Sequence, residues 1–221
     1  MLAVLIAFAS APPTIDPAQA PRVDTHCSRP LAASDETVDA AGAAVRMEEV
    51  SNPDGTRTLR HELVVPAPPA EVYAAFTTPE GWRGWAVPNA WGVTGDPDLL
   101  ETSYTPGAAQ GDPRHIRQRF LRRVPNRLVE WRTVQTPPGF PHAAEFQRVT
   151  TRVELEPAGS GTRVRLSGIG YPAGAAGDTL LGFFREGNRT TLEQLRARFV
   201  TGPIDWAARA RAAAKHPAPK H

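Results

Sequence analysis

Six histidines, one cysteine and a few charged clusters are the side chains in this 221-residue sequence best suited to moving protons, binding metals or attacking a carbonyl. His61 alternates with Leu59 and Leu63, so on a strand all three share a face. Imidazole titrates near neutrality, which makes His61 the best single acid–base candidate; the competing reading is an interior histidine with its hydrogen bonds satisfied. His115 follows Arg114 and reads as a strand-edge surface residue, His142 falls in a loop, and His216 and His221 lie at the C-terminal end. No spacing pairs these rings with carboxylates as metal ligands. Cys27 stands alone, which excludes an intrachain disulfide and a zinc-type cluster. No metal and no cofactor are expected. Gly168-Ile169-Gly170 follows a strand pattern, but Tyr171-Pro172 occupies the place where a dinucleotide fingerprint needs a helix start; no nucleophile elbow or P-loop is present either. Catalytic residues are therefore left unassigned, and the balance tips away from an enzyme.

Charged residues give two further candidates. Arg185, turned inward, would pair bidentately with an acidic ligand group; turned outward with Glu186, it is solvated surface charge, and Asn188 lies one turn on. The run Arg114–Arg123 mixes basic and aromatic residues, as a nucleic-acid-binding strand does. A net charge of +2 offers no wider polyanion surface, so the run reads as a solvated strand face and no nucleic acid partner is expected. The sequon Asn188-Arg189-Thr190 falls inside a helix pattern and is discounted.

The elements that must position these residues centre on Asp178 to Val200. There Leu180, Leu181, Phe184, Thr191, Leu192, Leu195 and Phe199 recur at spacings of three and four, forming the stripe of an amphipathic helix. Phe183 and Phe184 diverge by about 100° on such a helix, so one is expected to face the sheet and the other a pocket mouth. The preceding hundred-odd residues read as β. Val45, Met47 and Glu49 begin a strand, Asn52-Pro53-Asp54-Gly55 forms a turn, and Leu59 to Val65 returns. Pro66 to Pro69 opens a short helix with Val72, Ala75 and Phe76 on one face. A second short helix, Pro79 to Trp85, carries Trp82 and Trp85 on one side. Strands are expected at Leu99–Thr105, at Arg114–Val124 with Ile116, Gln118 and Phe120 sharing a face, and at Leu128–Gln135. A loop covers 136–142. The hairpin Phe146–Glu156 with Thr162–Gly170 completes the set, with alternation that leaves one wet and one dry face.

The ends carry targeting information. Met1 to Ala9 is apolar, and Ala18-Gln19-Ala20 has the small-x-small form of a cleavage site. Residues 1–20 are expected to be a signal peptide, 21–44 a flexible linker, 45–202 the folded domain and 203–221 a frayed extension and tail. The apolar run is too short to span a bilayer, which takes roughly 20 residues. A periplasmic or secreted protein follows, without stable membrane insertion after signal removal.

Four stretches carry a family resemblance: Val65 to Phe76, Pro79 to Trp85, Val124 to Trp131, and Gly161 to Leu166 with Gly170-Tyr171-Pro172 and Phe184 to Asn188. In this order they resemble the START-like, or SRPBCC, superfamily, in the branch of the homologues of the heat-shock-protein-90 ATPase activator. The resemblance covers about residues 45–202 and implies an α+β helix-grip fold: a curved antiparallel sheet around a long C-terminal helix, with two short helices between the first strands. This chain departs from the pattern in an added first strand, the N-terminal apolar segment and the Pro/Gly-rich loop 136–142.

The resemblance also implies a cavity between sheet and helix that takes apolar small molecules such as lipids, sterols or polyketides. Trp82, Trp85, Trp91, Tyr104, Trp131, Phe146, Tyr171, Phe183 and Phe184 are the residues expected to line it; the alternative is that they simply fill the core. Three functions remain open on the sequence: binding without chemistry, a cyclase- or hydrolase-type enzyme in which His61 or Tyr104 moves a proton, and a protein-binding module by analogy with chaperone activation. Oligomeric state is unassigned.

Overall fold

The computed structural model describes residues 44–215. The expected signal peptide, nearly all of the linker and residues 216–221 lie outside the described residues. Eight strands form one antiparallel sheet in the order β1-β2-β8-β7-β6-β5-β4-β3. The strands are β1 (Arg46–Ser51), β2 (Arg57–Val65), β3 (Asn89–Val93), β4 (Asp96–Ser103), β5 (Ile116–Val124), β6 (Leu128–Gln135), β7 (Thr150–Ala158) and β8 (Gly161–Tyr171). The helices are α1 (Pro69–Thr77), α2 (Pro79–Arg83), α3 (Ala143–Phe146), α4 (Ala175–Thr201) and α5 (Trp206–Lys215). This is the α+β helix-grip architecture, with α4 against the inner face of the curved sheet.

Local chemistry sets the joints. Asp54 Oδ1 accepts from the backbone N–H of Thr56 at 3.0 Å, and Gly55 takes φ +80°, closing the β1–β2 turn. Pro69 starts α1, where its missing N–H is no loss. Thr78 caps α2, its hydroxyl accepting from Gly81 N–H at 2.9 Å. Both indoles then fold back onto α1. Trp82 Nε1–H donates to the Phe76 carbonyl at 2.8 Å and Trp85 Nε1–H to the Ala75 carbonyl at 3.0 Å, so two carbonyls freed at the helix end find donors. At 27 residues, α4 is about 40 Å long. It ends at Gly202, whose N–H reaches the Arg198 carbonyl.

Four sequence expectations need correction. Trp91 sits on β3, a strand the sequence reading left unassigned. Phe146 belongs to the helical turn α3 rather than to a strand: His142 adopts φ +49° and its carbonyl accepts from Phe146 N–H at 2.9 Å, so β7 starts only at Thr150. The segment after Pro203 does not fray at once. It forms α5, and Trp206 Nε1–H donates to the Arg83 carbonyl at 2.6 Å while Ile204 N–H reaches the Gly84 carbonyl. Finally, α4 begins at Ala175, a turn-length stretch earlier than Asp178.

Two apolar clusters form the core. One gathers α1, α2 and the middle of the sheet around Phe76, Trp85, Val129 and Leu166, together with Leu192 and Leu195 of α4. The other joins Leu59, Phe146 and Tyr171 to Leu180, Leu181 and Phe184 in the first half of α4. Among the described residues, no helix is long and apolar enough to cross a membrane.

Candidate functional site

Between the two clusters the sheet and α4 do not close on each other. They leave a cavity of about 370 Å³, within the range of small-molecule sites. Its sheet wall is built from inward positions: Ile116 and Gln118 on β5, Trp131 and Thr133 on β6, Thr151 on β7, Leu166 and Gly168 on β8. The helix pair contributes Phe76, Trp82, Trp85 and Ala86. From α4 come Phe183, Phe184, Asn188 and Thr191, and the loop Thr136 to Phe140 covers the remaining side.

Of the nine aromatic residues singled out in the sequence, eight line this one cavity and Trp91 does not. Their edges interlock. Phe146 stacks on Phe184 at 4.7 Å between ring centroids, Tyr171 lies 6.1 Å from Phe184, and Phe183 meets Phe184 edge to face at 5.0 Å. At the other end Trp82 and Trp85 are 5.8 Å apart, and Trp131 packs between Trp82 and Phe120. Tyr104 follows β4 on the same side as Thr102, the inward partner of Ile116. Burial pushes the hydroxyls of Tyr104 and Tyr171 far above the ordinary phenol range, which disfavours either as a base. Glycine at 168 makes room for the second of these: a Cβ there would fall 2.6 Å from the Tyr171 hydroxyl oxygen.

Trp91 is placed elsewhere, stacked on His115 at 5.5 Å, and neither ring lines the cavity. His115 is not the surface residue expected. It is 5% exposed, and its Nδ1–H donates to Glu101 Oε1 at 2.7 Å. Burial by itself would raise the Glu101 carboxyl. Hydrogen bonds from His115 and the Gly111 N–H, with the Arg117 guanidinium, outweigh it and hold the carboxyl below its usual range. This cluster ties the 104–115 loop to the outer face of the sheet.

His61 points inward as expected but stands apart from the cavity, beneath α4. Its Nε2–H donates to the Arg185 carbonyl at 3.1 Å, while Nδ1 is buried without a partner. Burial is the main cause holding this imidazole below its ordinary value, against the hydrogen bond to Arg185 and the nearby Glu186. The proton-transfer role considered for His61 therefore loses its geometric basis. Arg185 turns outward and pairs with Glu49 on β1. Lining residues that the sequence does not mark as cavity groups include Gln118, Thr133, Thr151 and the Pro137–Phe140 stretch. A signal existed for Gln118: a neutral polar residue at an inward strand position between Ile116 and Phe120.

A family model described as "Polyketide cyclase / dehydrase and lipid transport" matches residues 56–200. No curated protein matches the chain. Solved structures share the fold. The Aha1 dimer from Colwellia psychrerythraea is 17% identical with a TM-score of 0.51, covering 66% of this chain and 97% of that one. The solution structure of CalU16 from Micromonospora echinospora is 21% identical with a TM-score of 0.51, covering 75% of this chain and 79% of that one. XoxI from Bacillus cereus is 15% identical with a TM-score of 0.50, covering 65% and 96%.

Proposed function

Because the chain belongs to the polyketide cyclase/dehydrase and lipid transport family of the SRPBCC superfamily, we propose that it holds a hydrophobic small molecule, lipid-, sterol- or polyketide-like, in the cavity between sheet and α4. The observation that carries this reading is the cavity itself: about 370 Å³, walled by two groups of interlocking aromatic side chains and a few neutral polar ones. Burying an apolar ligand there recovers roughly 25 cal/mol for each Å² removed from water. The eight aromatic residues are its binding residues in this reading. Binding without chemical change fits best, since the ionisable side chains of the wall are two tyrosines whose protons are held firmly. The apolar N-terminal run supports export, so the ligand would be met in the periplasm or outside the cell.

Purified protein analysed by native mass spectrometry, followed by solvent extraction, tests the reading. The expected result is a co-purifying small molecule released on denaturation. Protein that carries nothing, and that takes up no apolar probe, would count against it. Cell fractionation tests the export separately.

A further inference from the structure

The sheet wall of the cavity carries one polar pair with no structural duty. Gln118 and Thr133 are direct partners across the β5–β6 ladder. Each is 6% exposed, and both line the cavity. Gln118 Oε1 is closed to solvent and has no hydrogen-bond partner. An unpaired carboxamide oxygen in an apolar wall is costly, and native folds retain few such groups without a reason. An apolar residue at this inward position would pack as its neighbours Ile116 and Phe120 do. A half-turn of the carboxamide exchanges this closed-off oxygen with its nitrogen, so the group can be satisfied from the cavity only by a partner that both donates and accepts.

The charges around the cavity restrict what that partner belongs to. Among the described residues that line it, none carries a charge. The arginines of the adjacent stretch of α4 are engaged outside: Arg185 with Glu49, and Arg189 with Glu186 and Glu193. A carboxylate or ammonium group inside would shed its hydration with no counter-charge to meet it.

We propose that the ligand is an uncharged molecule with an apolar body and a neutral head, a primary amide or a hydroxyl, seated on Gln118 and Thr133. The carboxamide and the threonine hydroxyl together donate and accept, so they complement a head that does both. The body lies toward Phe146, Phe183 and Phe184. Fatty acids and other anionic lipids are discriminated against at neutral pH. This inference rests on the cavity being a ligand site.

Four probes of one shape test it: naphthalene, naphthamide, naphthol and naphthoate, with dissociation constants measured by equilibrium dialysis at neutral pH. The amide is expected to bind at least about a hundredfold more tightly than the anion. Gln118→Leu should weaken the amide about tenfold while naphthalene binds as before or better. Thr133→Val, which preserves shape, gives the same comparison independently, and circular dichroism confirms that both variants fold. Naphthoate binding as tightly as the amide would overturn the inference while leaving the cavity reading intact. Amide binding unchanged in both variants would do the same. Failure of all four probes, naphthalene included, would remove the cavity reading and this inference with it.

Discussion

Phe183 and Phe184 are sequence neighbours that meet edge to face at 5.0 Å, and both reach the same cavity. Their positions on α4 differ by about 100°, and the expectation that they divide between sheet and mouth is refined rather than met. Phe184 is buried and stacked on Phe146, whereas Phe183 is half-buried and meets Phe140 of the covering loop edge to face at 5.5 Å. Phe184→Ala should therefore cost about 3–5 kcal/mol of stability, as truncating a core aromatic does. Phe183→Ala should cost less and act mainly on ligand affinity. Urea unfolding of the two variants checks the order; equal losses would contradict this division.

Gln118→Leu carries an opposite sign. Removing a buried polar group that lacks a partner should stabilise the ligand-free protein by about 1–2 kcal/mol. A raised urea midpoint with an unchanged slope is the expected result. A fall in stability would mean that the carboxamide has an internal role.

The indole N–H groups of Trp82 and Trp85 close carbonyls at the end of α1. Phenylalanine at either position keeps a ring but leaves a buried carbonyl unpaired, costing about 1–3 kcal/mol. Trp91→Phe removes no such bond, so its thermal midpoint should shift least of the three.

Acidification acts through His61 with a definite sign. Its folded-state value lies below the ordinary one because burial disfavours the charged ring. As pH falls through the unfolded value of about 6.5, the unfolded chain takes up a proton that the folded chain refuses, and stability drops. The drop continues until the depressed folded value is reached. His61→Leu should flatten the stability profile between neutrality and that point, as read by urea midpoints across pH. Glu101 and Glu186, both held below the usual carboxylate range, lose their contributions at lower pH still, as pH falls through their folded values.

Gly177 lies in the first turn of α4, where a Cβ would collide with the carbonyl oxygen of Pro172 and crowd the Arg57 guanidinium. Gly177→Ala should destabilise by about 3 kcal/mol or more, measurable as a lowered thermal midpoint. Gly182→Ala, with open space around its Cβ, should instead gain slightly from helix propensity.

The residues explain how far the sequence could be read. The stripe on α4 and the alternation on β2, β5, β6 and β8 are strong periodic signals, whereas the aromatic set as a cavity lining comes from the family resemblance. What remained hidden depends on pairing across the sheet. His115 looked exposed because its chain neighbour is Arg114. Its burial comes from Glu101 on β4 and Trp91 on β3, neither near it in sequence. Phe146 reads as strand in the sequence because nothing local announces that His142 takes a left-handed conformation. In α5 the signal was present: Trp206 to Lys215 is rich in alanine and arginine, good helix formers, and Trp206 supplies the anchor. The polar pair Gln118–Thr133 required knowing the β5–β6 register.

The strand order has a further consequence. β2 and β3 lie six strand intervals apart, an arc of about 29 Å, yet they are joined directly by α1, α2 and their short linkers. The same crossover supplies Trp82 and Trp85, which fold back onto α1 and line the cavity. One stretch of chain thus bridges the arc of the sheet and furnishes a wall of the chamber, so a change to either indole alters the crossover and the chamber together.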